Sequence, residues 1–174
     1  MGRIELAMVV RAPIERCFDL SRSVDAHVQS TASTGERAVG GVLTGLMALG
    51  DTVTWEARHF GVRQRLTSRI TAFTYPSHFR DSQVSGAFSG FDHDHHFVQL
   101  TDSTTEIRDV FVFAAPFGPL GAMVERILLT DYMRRFLMVR NQALKELLES
   151  DGWKRYLPAG TSVGPGPRWT DGSM

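Results

Sequence analysis

Apolar and polar residues alternate along Arg3–Arg11 (RIELAMVVR), so Ile4, Leu6, Met8 and Val10 share one face, as in a strand covered on one side. Ala12-Pro13 breaks the alternation. Pro13 fixes φ and lacks an N–H, which suits the first turn of a helix. Ile14, Cys17, Phe18 and Leu20 then form a helical stripe, with Glu15, Arg16 and Asp19 left for water. The spacing predicts a helix over Pro13–Val24 and a second short helix or turn near Asp25–Ala32. From there to Ala114 short alternating segments recur, near Arg37–Met47, Thr52–Phe60, Gln64–Phe73, His78–Phe88, Phe91–Leu100 and Thr105–Ala114. Turn residues separate them (Gly50-Asp51, Gly61, Tyr75-Pro76, Gly90, Asp102-Ser103), and links that short join antiparallel neighbours. With the first strand they make a sheet of about seven strands, a size that curls.

After Pro116, Gly118 and Pro119 the period changes again. Leu120, Val124, Ile127, Leu128, Met133, Phe136, Leu137, Leu144, Leu147 and Leu148 keep helical spacing as far as Ser150. A helix over Leu120–Ser150 would be roughly 46 Å long at 1.5 Å per residue, so it must lie across the sheet. The methionines along it (Met123, Met133, Met138) read as core packing. Asp151-Gly152 ends the helix. Residues 151–174 read as a flexible C-terminal tail, crowded with Gly and Pro at Gly164–Pro167, unless Trp153, Tyr156 or Trp169 docks it.

Composition narrows the function classes. With 174 residues, 43% hydrophobic and 22% charged, the chain has the make-up of one ordinary globular domain. Lys+Arg and Asp+Glu balance at 19 each, whereas a nucleic-acid binder carries a basic excess, so no nucleic-acid partner is expected. The single Cys17 cannot form an internal disulfide, and no apolar run is long enough for an integral membrane segment. Arg3, Glu5 and Arg11 interrupt any leader-like stretch. The cytoplasm is the expected address.

The order strand, two short helices, six strands, long helix resembles the helix-grip architecture of the START-like superfamily. Within it the chain is similar to the SRPBCC family, which includes polyketide cyclase/dehydrase-like proteins. The likeness is carried by IELAMVVRAPIERCFDLSRSVD, by GDTVTWEARHFGVRQRLTSRITAF, and by FRDSQVSGAFSGFDHDHHF followed by RDVFVFAAPFGPLG. It implies an α+β fold, a curved seven-stranded antiparallel sheet wrapped around a long C-terminal helix, with residues 1–150 as one ligand-binding domain. It says little about substrate, because members include binders, carriers and cyclases. The Arg/Tyr/Ser set of an aromatic polyketide cyclase is not identifiable here, which counts against that cyclisation specifically.

The most unusual local feature is the run Phe91-Asp92-His93-Asp94-His95-His96-Phe97. Side chains on a strand alternate faces, so Phe91, His93, His95 and Phe97 belong to one side, which their aromatic flanks assign to the concave face. Asp92, Asp94 and His96 then form a solvated outer row. Ile107, Asp109, Phe111 and Phe113 alternate likewise on the next strand, so Asp109 is an acid facing inward. A carboxylate beside an imidazole fixes its tautomer and raises its pKa. Val53, Trp55, Ala57 and His59 form another inward row, and Phe79, Asp81 and Gln83 a third.

The expected ligand-binding set is Trp55, His59, Phe79, Asp81, His93, His95, Asp109, Phe111, Met133 and Phe136. Loops near Gly50-Asp51 and Tyr75-Pro76 would gate the cavity. The first reading is a binder of a small apolar or amphipathic molecule, such as a lipid, polyketide or aromatic metabolite. The second is a cyclase/dehydratase-type enzyme with His93, His95 and Asp109 as its catalytic candidates. The third is an interaction protein whose sheet edge or long helix pairs with another chain, a homodimer included. A buried His–Asp pair is also often nothing more than a satisfied polar core. No cofactor is expected, and no metal: two His two apart with a carboxylate can chelate zinc, but no Cys or longer ligand pattern supports it. Cys17 reads as buried and inert.

Overall fold

The computed structural model describes residues 1–59, 61–115 and 129–157, with Ser33 and His59 described by their backbone alone. β1 (Gly2–Val10) leads into α1 (Ile14–Ser21) and α2 (Val24–Ser30), then a 3-10 turn (Ala32–Thr34). Six strands follow: β2 (Arg37–Gly41), β3 (Thr52–His59), β4 (Val62–Thr74), β5 (His78–Ser85), β6 (Gly90–Thr101) and β7 (Thr104–Ala114). The last helix, α3, spans Thr130–Glu149 and runs into a 3-10 turn at Asp151–Arg155. All seven strands belong to one sheet in the order β1-β7-β6-β5-β4-β3-β2, with every pair antiparallel. This is the helix-grip arrangement.

Element boundaries follow local chemistry. Pro13 stands in extended conformation just before α1, and Ser23 Oγ accepts from Ala26 N at 3.3 Å to start α2. The chain therefore breaks at Arg22-Ser23, inside the span expected for one helix. The segment expected to be strand as far as Met47 stops at Gly41, whose φ of 70° turns the chain and where a Cβ would lie 2.1 Å from Thr52 O. β5 stops short of Phe88 for a similar reason, the φ of 140° at Gly86. Of the helix expected over Leu120–Ser150, Thr130–Glu149 is present, and residues 120–128 lie outside the described residues.

Two apolar clusters fill the space between sheet and helices. One centres on Phe18 of α1, whose ring meets Phe73 at 5.1 Å and Phe79 at 5.4 Å, edge-on. The other gathers Ile4, Phe91, Phe111, Phe113, Met133 and Leu137. The face of α3 turned inward is Met133, Leu137, Arg140, Asn141, Leu144 and Leu148. Met138, expected in the core, is 54% exposed, because it follows Leu137 by only one position and so points away from that stripe.

Two other expectations change. Asp94 is not part of a solvated row: it is only 9% exposed, and it accepts from Arg80 Nε and Nη2, both at 2.8 Å, and lies 2.8 Å from His78 Nε2. The start of the expected tail is docked. Leu157 is buried in the first cluster, Trp153 and Tyr156 pack against it, and the Arg16 guanidinium lies 4.1 Å over the Trp153 ring. Residues 158–174 lie outside the described residues.

Candidate functional site

The register between the central strands assembles a polar centre. His95 pairs with Asp109 and His93 with Phe111 across β6 and β7, while Phe79 pairs with His95 and Asp81 with His93 across β5 and β6. The β6–β7 irregularity falls at Gln99/Thr101, beyond the histidines, so alternation is undisturbed and all four ionisable side chains reach the concave face. His95 Nδ1 lies 2.7 Å and His93 Nε2 3.2 Å from Asp109 Oδ1. On the opposite side of both rings, Asp81 Oδ1 is 3.2 Å from His95 Nε2 and 3.9 Å from His93 Nδ1. Two imidazoles are thus bracketed by two carboxylates.

α3 closes the centre from above. Asn141 Nδ2 donates to Asp109 Oδ2 at 2.5 Å, and Arg140 Nη1 donates to Asn141 Oδ1 at 3.2 Å while standing 4.0 Å from Asp109 Oδ1. Aromatic rings floor it: His95 stacks on Phe79 at 4.3 Å, and Phe111 meets His93 edge-on at 5.2 Å. The polar layer sits between the two apolar clusters. Although the His–Asp109 contacts are short, His93 Nε2 and Asp109 Oδ1 have no aligned hydrogen bond. Buried polar atoms in that condition are uncommon and call for a role.

Proximity separates the pKa values. Burial would push the Asp109 carboxyl up, but the two imidazoles outweigh it and hold it well below the usual carboxylate range. Asp81 is lowered in the same way, with burial opposed chiefly by His95. Burial pulls His95 down, yet Asp109 and Asp81 overcome it, so His95 is raised. His93 is lowered by its own burial and by the neighbouring His95 charge. One imidazole is poised to hold a proton and the other to lack one.

Asp81, His93, His95 and Arg140 line an interior cavity of about 110 Å³ whose other walls include Trp55, Phe79, Phe111, Met133 and Phe136. An adjoining cleft of about 180 Å³ shares Glu36, Trp55, Leu66, Phe88, Met133 and Phe136 with it. Each holds far more than a single water, which needs about 10–15 Å³. Eight of the ten residues expected at the site from the sequence line the first cavity. Asp109 stands behind the histidines, 2% exposed, and the His59 side chain lies outside the described residues. Gly50-Asp51 and Tyr75-Pro76, expected as gating loops, are not among the residues lining either space: Gly50 N donates to Ile70 O at 2.9 Å, and Tyr75 packs edge-on to Phe18 at 5.1 Å.

Sequence reasoning missed Arg140, Asn141 and His27. The first two fall within the stripe Leu137–Leu144 at i+3 and i+4, and that position was their only signal. His27 stacks on Trp55 at 4.2 Å and contacts Glu36 at 3.2 Å, a meeting of α2 with the sheet that no local pattern announces.

No protein-family model and no curated protein sequence matches this chain. Solved structures do. A protein of Thermus thermophilus superposes with a TM-score of 0.69 at 14% identity, over 84% of this chain and 96% of that one. A START superfamily protein from Mycobacterium smegmatis gives 0.67 at 12% identity, over 86% and 98%. The di-domain ARO/CYC StfQ from the steffimycin biosynthetic pathway gives 0.61 at 15% identity, over 87% of this chain and 46% of that chain. At such identities the likeness carries the fold, which is START-like helix-grip. Among the described residues, no helix is long and apolar enough to cross a membrane.

Proposed function

We propose that this protein binds a small amphipathic molecule, its apolar body against Trp55, Phe79, Phe111 and Met133 and its polar end on Asp81, His93, His95 and Arg140. One observation carries the reading: a buried charge cluster and an aromatic wall line the same cavity. Mostly apolar walls with a few convergent polar groups are the usual make-up of small-molecule sites. Ser21 Oγ, also on that wall, has no hydrogen-bond partner and suits the same polar end. The START superfamily neighbour from Mycobacterium smegmatis has the same fold, consistent with a ligand-holding role. The fold's one cysteine is buried and unpaired, which suits the cytoplasm.

Titration with anilinonaphthalene sulfonate, an aromatic body with one polar end, tests this. Its fluorescence is expected to rise and saturate at one equivalent. Ser68 faces the cavity from β4, so Ser68→Phe is expected to abolish the rise, at a packing cost of about 1–3 kcal/mol. Unchanged binding in a folded Ser68→Phe protein would sink the reading.

A second reading, acid–base chemistry of the cyclase/dehydratase type, is favoured by the opposed shifts of His93 and His95, since neighbouring groups driven apart can serve as base and acid. The likeness in fold to the steffimycin-pathway ARO/CYC is consistent with it. Turnover of a bound candidate substrate that disappears in His95→Ala while binding persists would establish it over simple binding.

A further inference from the structure

We propose that Asp81, His93 and His95 bind a first-row divalent cation, of the class of Zn²⁺ or Fe²⁺, with Asp109 orienting both imidazoles from the opposite side. The proposal uses the same Asp81, His93 and His95 that the proposed function gives to the ligand's polar end, and does not depend on what the apolar part of the cavity holds. It sets aside the expectation of no metal, which rested on the lack of cysteine ligands.

The two carboxylates divide the four ring nitrogens. His93 Nε2 and His95 Nδ1 face Asp109 Oδ1, at 3.2 and 2.7 Å. His93 Nδ1 and His95 Nε2 face Asp81 Oδ1, at 3.9 and 3.2 Å. His95 Nε2 and Asp81 Oδ1 share a hydrogen bond of 3.2 Å, so a cation would take the place of that proton. With the N–H groups then on the Asp109 side, the lone pairs of His93 Nδ1 and His95 Nε2 are turned to the ion beside the Asp81 carboxylate. A carboxylate that fixes the far nitrogen of a metal-bound imidazole is the usual outer support of such sites. One donor atom from each of Asp81, His93 and His95 lies within 4.8 Å of the other two.

Distances suit an ion of this size. Donors about 2.0–2.2 Å from a metal stand roughly 3 Å from one another. The 3.2 Å pair already meets that, and the 3.9 Å pair closes by a small rotation of Asp81, whose side chain keeps 22% exposure. Two imidazoles and one carboxylate leave coordination positions open, and all three residues line the cavity, so those positions are within reach of a ligand oxygen. Charge agrees as well: once a cation displaces the proton His95 is poised to hold, the carboxylates of Asp81 and Asp109 are left with the nearby Arg140 guanidinium, whose Nη1 is turned to Asn141.

A second observation points the same way. His93 Nε2 and Asp109 Oδ1 belong to side chains more than nine-tenths buried and lack an aligned hydrogen bond. An ion on the opposite ring nitrogens would acidify the His93 N–H and draw it toward Asp109 Oδ1, 3.2 Å away. His78, Asp94 and His96, on the outer face, also cluster within 4.8 Å. There the Arg80 guanidinium already holds Asp94 through two bonds of 2.8 Å, so a cation is opposed. That cluster supplies the control.

Chelator-treated protein titrated with Co²⁺ is expected to develop visible d–d absorption saturating at one equivalent. Asp81→Asn and His95→Gln are each expected to weaken binding at least tenfold, and Asp109→Asn by about 10–100-fold, the usual effect of removing an outer carboxylate. His78→Gln is expected to change nothing. Absence of stoichiometric absorption would overturn the proposal, as would absorption lost in His78→Gln and kept in His95→Gln. X-ray absorption of Zn²⁺-loaded wild-type protein needs no variant: two imidazoles per zinc are expected, and one or none overturns the site. Anilinonaphthalene sulfonate binding to the metal-free protein reports on the cavity separately, so either idea can fail alone.

Discussion

Asp109 keeps its charge at a depth where an unpaired carboxylate would take up a proton, because His93, His95 and Asn141 surround it. Removing that charge strands the positive groups around it. Asp109→Asn is therefore expected to destabilise the fold by about 3–5 kcal/mol in urea unfolding, the range for breaking a buried pair. An exposed control, Glu5→Gln, is expected to stay within about 0.5 kcal/mol. Equal, small effects would mean that Asp109 is only a spacer. Cys17 gives a second prediction at this scale. Burial pushes its thiol up to about 12, so the native protein is expected to leave a disulfide reagent unconsumed at pH 8 and to take up one equivalent once unfolded. Rapid native reaction would mean that α1 opens readily.

Single elements carry the next set of forces. On the outer face of β2, β3 and β4, Glu56 receives Arg37 Nε at 3.1 Å and Arg65 Nε at 3.0 Å, which lower its pKa. A lowered folded-state pKa stabilises above the unfolded value, about 4.3, and that contribution disappears as pH falls through the folded value. The stability advantage of wild type over Glu56→Gln is thus expected at pH 7 and should shrink below about pH 4. An advantage that grows in acid would contradict the pairing. Elements were also what the sequence displayed best. Period-two alternation located β6 and β7 nearly to the residue and put His93, His95 and Asp109 on one face of adjoining strands; the exact partner of each came only with the register. The end of β2 was not legible, since it depends on the φ of Gly41 and the approach of Thr52 O. Arg140 and Asn141 were hidden for another reason: their role comes from lying over Asp109, a contact 32 residues away in sequence for Asn141. Local patterns record which face a residue takes, not what crosses above it.

Across the whole molecule, sheet and helices grip two apolar clusters with a charged layer between them, and the cavity lies against that layer. An amphipathic ligand would satisfy both parts at once, and this is the central claim. Imidazole and methyl NMR during titration with anilinonaphthalene sulfonate tests it most directly. Shifts are expected at His93, His95 and Met133, saturating together at one equivalent, while His78 and His96 on the outer face stay still. Binding that moves the outer pair, or that leaves His93, His95 and Met133 unperturbed, would contradict the account.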